Sequence, residues 1–221
     1  MFENRTPPGI ILGGFGLAAI AGMVNAVGFL GAYHQAFSHL SGTATHFAAD
    51  LAQGHATRAA LAGLLLISFL LGATTSGLII RDSHLQPGRR YGVALVIEGL
   101  ILFAAVPLLQ RHLMLGGALA AAACGLQNAM ATTYSGAIVR TTHVTGIVTD
   151  LGLALSHRLR RSPGRAGRTR LLAALLAGFL VGGSIGASLF DVLNYRTLWV
   201  PATVTIVAGC THVVMRQFKF V

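Results

Sequence analysis

Six stretches of this chain, at about residues 9–33, 59–80, 91–110, 114–138, 170–191 and 197–216, are long, apolar and almost free of charge. A run of ~20 such residues, wound as an α-helix, matches the hydrocarbon thickness of a bilayer. The runs therefore predict an all-α fold, a polytopic membrane helix bundle. Composition agrees: 54% of residues are apolar and 10% charged, and the mean hydropathy is +0.70. The first run, preceded only by Arg5 among cationic residues, is too long for a cleaved signal peptide and lacks a small-residue cleavage site. It reads as the first span.

Two further segments, about 36–53 and 140–156, are shorter and more polar, and they carry a duplicated phrase. Ser38-His39-Leu40-Ser41-Gly42 returns as Thr142-His143-Val144-Thr145-Gly146, a shift of 104 residues. The duplication extends further. Gly22-Met23-Val24-Asn25-Ala26 is echoed by Gly125-Leu126-Gln127-Asn128-Ala129 at a shift of 103, and Phe69-Leu70-Leu71-Gly72 by Phe179-Leu180-Val181-Gly182 at 110. The small drifts are loop-sized insertions. Three blocks in one order predict a single membrane domain, 1–221, built of two repeat halves, 1–110 and 111–221.

The cations arbitrate how the polar segments lie. If both segments cross the bilayer, the sixteen Lys and Arg residues divide 11 to 5 between the two sides. If both dip in and return, 13 fall on the side of the termini and only Arg58, Arg111 and Arg196 on the other. The second split is the better positive-inside solution. It places the N- and C-termini in the cytoplasm and makes each half an odd, three-span unit, so the halves are inverted. Broken helices in inverted repeats are a recurrent plan for small-solute transporters. Non-helical backbone at membrane depth is tolerated only inside protein or beside a wet cavity. Gly42 and Gly146 are the expected break points. A helix starting after each would aim its positive N-terminal end at the midplane.

The duplicated phrase supplies the lead site residues: His39, Ser41 and Gly42, with His143, Thr145 and Gly146. They line a shared solute or proton path, or they satisfy backbone groups freed at a helix break; the two roles are compatible. Asn25, Gln127 and Asn128 place amides in the first and fourth long runs, where amides either bind a polar solute or join helices. Glu98 stands alone in an uncharged run, either as a proton- or cation-coupling group or as a hydrogen-bonded structural acid. His46 and Asp50 share a helix face, and His46 corresponds to Asp150 at the repeat shift. His46, Asp50 and Asp150 are candidates for proton handling, since imidazole titrates near neutral pH, or are simply interfacial. Ser68/Gly72/Ser76 and Gly178/Gly182/Gly186 are small-xxx-small stripes suited to helix packing. Pro107 and Pro201 are expected to end or kink their spans.

A net charge of +10 suggests nucleic acid, but the arginines cluster in short segments between apolar runs, as cytoplasmic loops do. No nucleic-acid partner is expected. The basic segment from His157 to Arg168 is explained by topology anchoring and contact with anionic lipid. Cys124 and Cys210 lie in apolar runs and form no disulfide framework. No metal, cofactor or nucleophile motif is present, and none of these groups is expected to take part. The expected partners are the lipid bilayer, a small solute and a second copy of the chain in a homodimer.

At these phrases the chain resembles the YoaK-like family of bacterial membrane proteins, a domain of unknown function. The matching residues are Gly22-Met23-Val24-Asn25-Ala26-Val27-Gly28-Phe29, Phe37-Ser38-His39-Leu40-Ser41-Gly42, Gly125-Leu126-Gln127-Asn128-Ala129 and Arg140-Thr141-Thr142-His143-Val144-Thr145-Gly146. The family often has Asp where Asn25 stands, and Asn where Thr43 and Ile147 stand. The resemblance implies a protein of the bacterial inner membrane.

The sequence thus points first to a small-solute transporter or channel with a midplane polar site built from two broken helices. The alternatives are a membrane assembly or stress-response protein, in which the breaks are architecture, and an intramembrane enzyme. The last is weakest, because no nucleophile–base–orienter set can be named.

Overall fold

The computed structural model describes residues 6–31, 34–80, 88–134, 141–160 and 166–217. Of the topology-bearing cations, Arg5, Arg81, Arg140, Arg161, Arg165 and Lys219 lie outside the described residues, as do the ends of the 9–33 and 114–138 runs. The elements are α1 (Pro8–Leu30), α2 (Leu40–Ala52), α3 (Ala56–Ile79), α4 (Arg89–Gln110), α5 (Met114–Tyr134), α6 (Val144–Leu159), α7 (Ala166–Leu193) and α8 (Trp199–Gln217), with a 3-10 turn at Asn194–Leu198 joining the last two. Five helical stretches among the described residues are long and apolar enough to cross a membrane; the last, Gly167–Gln217, holds both α7 and α8. The protein is an all-α polytopic membrane bundle. Helices α2 and α6, at 13 and 16 residues, fall short of the ~20 that a crossing needs. Pro107 does not end α4, which runs three residues beyond it. Pro201 sits in the first turn of α8, where a missing N–H costs nothing.

Small residues decide which helices pair. The most extensive contacts join α1 to α7, α3 to α5 and α4 to α8. Between α1 and α7, a Cβ on Gly178, Gly182 or Gly186 would meet backbone of Phe15, Ala19 or Met23 respectively. The partners advance together along both helices, so α1 and α7 run parallel. The α3–α5 pair repeats two α1–α7 contacts at the repeat shifts: a Cβ on Gly72 would meet the Ala122 carbonyl, as one on Gly182 meets that of Ala19, and a Cβ on Gly125 would meet the Phe69 carbonyl, as one on Gly22 meets that of Phe179. It is parallel too. Leu61 and Leu65 of early α3 cluster with Ala120 and Ala121 of early α5, and Ile80 just past α3 clusters with Met130 near the end of α5. By contrast α4 and α8 are antiparallel, since Gly92 abuts the Gly209 carbonyl and Gly99 that of Ala202.

Tyr195 marks one end of the bundle. Its ring meets Phe190 at the end of α7 at 5.6 Å and His112 in the α4–α5 turn at 6.4 Å. Its hydroxyl lies 2.7 Å from where a Cβ on Gly31, at the end of α1, would stand. At the other end Tyr91, in the first turn of α4, meets His212 of late α8 at 5.6 Å. Parallel pairing with α5 starts α3 at the Tyr195 end.

Candidate functional site

The two copies of the polar phrase meet. Ser38, His39, Leu40 and Ser41 from one copy and Thr142, His143, Val144 and Thr145 from the other line one cavity of about 650 Å³. Phe69 and Ala73 of α3 and Asn128, Ala129, Thr132 and Thr133 of α5 complete its wall.

The histidines stand there because each is the N-cap of a short helix. His39 has φ −87°, ψ 68° and His143 φ −88°, ψ 61°, so the two breaks share one backbone conformation. Their carbonyls accept the first helical bonds, from the N–H of Thr43 and of Ile147, both at 3.1 Å. Neither side chain caps its own helix. The leading N–H groups of α2 and α6 have no intrahelical acceptor, so both helices present their positive ends at the cavity. The His39 ring packs against Phe179 of α7, with centroids 5.7 Å apart.

This corrects the expected break points. The helices begin at Leu40 and Val144, two residues ahead of Gly42 and Gly146, which lie inside the first turns. The preceding residues carry the non-helical dihedrals, so no glycine is needed to interrupt the chain. Gly146 has a different use: a Cβ there would collide with the His143 imidazole. Gly42 has nothing nearby. Neither glycine is among the lining residues.

The amides hold the breaks in place. Asn25 accepts from the Ser38 N–H at 3.0 Å and donates to the Ser38 hydroxyl at 2.6 Å. Asn128 accepts from the Thr142 hydroxyl at 3.2 Å. Asn128 thus reaches the cavity wall, whereas Asn25 braces it from behind. Gln127 is buried and donates to the Leu17 carbonyl at 3.3 Å, tying α5 to α1.

The remaining candidates lie elsewhere. Glu98 is 2% exposed and does not line the cavity. Its Oε2 has no hydrogen-bond partner among the described residues. His46 is exposed on α2. Asp50 pairs not with His46 but with His55, at 3.2 Å, across the α2–α3 turn. Asp150 bonds Arg168 at 2.6 Å, linking α6 to α7. Sequence reasoning missed Phe69, Ala73, Thr132 and Thr133. The two threonines stand one turn after Asn128 and Ala129, and their hydroxyls donate back to those residues' carbonyls at 2.7 and 2.8 Å. Helical spacing from Asn128 was the signal available.

Apolar crossing helices packed through glycines around a polar cavity define a multi-pass membrane protein. Residues 13–211 match the DUF1275 family model, described as a protein of unknown function, and the chain belongs to that family. The YoaK-like resemblance is consistent with this assignment. No curated protein and no solved structure matches the chain.

Proposed function

We propose that this protein is a transporter or channel for a small polar solute, in the bacterial inner membrane, with its site in the shared cavity. The observation that carries the reading is that two short helices from distant parts of the chain begin at one cavity, each presenting a histidine, hydroxyls and the positive end of its backbone. Such groups favour a solute bearing hydrogen-bond acceptors. A cavity of this volume is of the size that holds small molecules.

The reading includes inverted halves, 1–110 and 111–221. Three things support it. The α1–α7 and α3–α5 pairs make the same glycine contacts at the repeat shifts. The end of α1 and the start of α3 share the Tyr195 end, so the connection through α2 leaves and returns on one side. The end of α5 and the start of α7 share the opposite end, so α6 dips from there. The 13-to-3 cation split then puts the Tyr91 end and both termini in the cytoplasm. Glu98 is the proton- or cation-coupling candidate. The bilayer is the surrounding partner, a homodimer the expected assembly, and nucleic acid is no partner. Solute flux into proteoliposomes tests the proposal; a folded protein that passes no polar solute, alone or against a pH gradient, rejects it in favour of an assembly or stress-response role.

A further inference from the structure

The polar groups of the cavity wall are mostly donors. Asn25 uses its whole amide within the protein: its nitrogen donates to the Ala21 carbonyl at 2.9 Å and to the Ser38 hydroxyl at 2.6 Å, and its oxygen accepts from the Ser38 N–H. Ser38 is 5% exposed and lines the cavity. Its oxygen already accepts from Asn25, and among the described residues nothing accepts its hydrogen, so the hydroxyl faces the cavity as a donor. In the other copy the Asn128 oxygen accepts from Thr142 at 3.2 Å, which leaves the amide N–H pair for the cavity that Asn128 lines. The two imidazoles carry at least one N–H each. Against these donors, Thr132 and Thr133 offer oxygens whose hydrogens are held by α5 carbonyls.

Charge favours the same kind of ligand. No Asp, Glu, Lys or Arg is among the lining residues. The fixed charge is that of the two helix starts, about half a positive elementary charge each. A cation finds no counter-charge there. A polyol brings a donor with every acceptor, which a donor-rich wall matches poorly. An oxyanion brings acceptors alone and the sign that helix starts attract.

We propose that the solute of this cavity is a small oxyanion, a carboxylate or inorganic phosphate, held between the starts of α2 and α6 by Ser38, Asn128 and the two imidazoles. The inference rests on the reading of the cavity as a solute pathway and adds the sign of the solute's charge.

Binding and flux test it separately. The purified protein is melted in detergent with phosphate, succinate, sorbitol or choline at matched ionic strength, and proteoliposomes are assayed for uptake of the same four probes. Phosphate or succinate is expected to raise the melting temperature saturably and to enter; sorbitol and choline should do neither. Ser41 and Thr145 are exposed second residues of α2 and α6 on the cavity wall. Ser41→Asp puts an acid where a helix start accepts one, so it should fold and weaken anion binding about tenfold or more. Ser41→Asn, without the charge, should keep most of the affinity. Thr145→Asp carries the test from α6 if Ser41→Asp does not fold. Stabilisation unchanged in the folded Asp variants is a general salt effect and overturns the proposal, as does an equal loss in Ser41→Asn. Uptake of sorbitol or choline with neither anion bound overturns the charge assignment and leaves transport standing. Anion binding that the Asp variants weaken, without uptake, keeps the anion site and rejects transport. No binding and no uptake of any probe overturns both.

Discussion

Gly182 of α7 lies against the carbonyl oxygen of Ala19 on α1, so closely that any Cβ at this position would collide with it. Backbone cannot give way as a flexible side chain can. Gly182→Val is therefore expected to destabilise the bundle by about 2–3 kcal/mol or to prevent its assembly. Gly77→Ala is the control: Gly77 is inside α3 with nothing within 4 Å, and alanine should be neutral or stabilising by up to about 1 kcal/mol. Thermal melting in one detergent compares the two.

His39 and His143 should act on one process, since they line one cavity. His39→Ala and His143→Ala are each expected to reduce solute flux, and the double variant to be little worse than either single one, because residues of one site are not additive. Additive losses in proteoliposome flux would assign the two imidazoles to separate steps.

Glu98→Gln keeps the shape of the side chain and gives it a donor and an acceptor. The protein should fold and insert normally and lose the pH dependence of flux. A Gln variant whose flux retains its full pH profile would remove Glu98 from coupling and leave it a structural residue.

Asp150 and Arg168 are bonded but well exposed, at 36% and 45% of their side-chain surface. Exposed pairs contribute about 0–1 kcal/mol. Asp150→Asn should therefore melt within about 1 kcal/mol of the parent and transport normally. A large loss of flux at unchanged stability would return Asp150 to the pathway.

Single-cysteine labelling at Gly88 and Leu113 checks the topology. Gly88 precedes α4 and Leu113 lies in the α4–α5 turn, so the two should label from opposite faces, Gly88 from the cytoplasm. Leu113 is 45% exposed and should be reachable without disturbing the core.

The long helices and the close packing of two of them were legible because both signals are local: twenty apolar residues need no tertiary context, and Gly72 and Gly182 announce close packing by their spacing, though not which helix they meet. The pairing of the two polar phrases was legible through their duplication. The position of the breaks was not. His39 and His143 adopt the N-cap conformation that glycine was expected to supply, and nothing in residue type distinguishes a histidine that caps from one that follows. The Asp50–His55 contact was hidden for a related reason. A spacing of four on a helix favours His46, but the chain turns after Ala52 and brings His55 back instead.

The α1–α7 and α3–α5 pairings bear on how the chain is made. Each early span has its close-packed partner fifty or more residues further on, the Gly72 contact with Ala122 being the nearer case. While the ribosome is still delivering α4, the small-residue faces of α1 and α3 have only lipid or the insertion machinery against them. Those faces are shallow and complementary to one specific partner each, so they discriminate poorly until that partner arrives. The close packing of α1 is therefore completed late, only after the seventh helix has been laid beside the first, whereas the segments that line the cavity are all delivered before it.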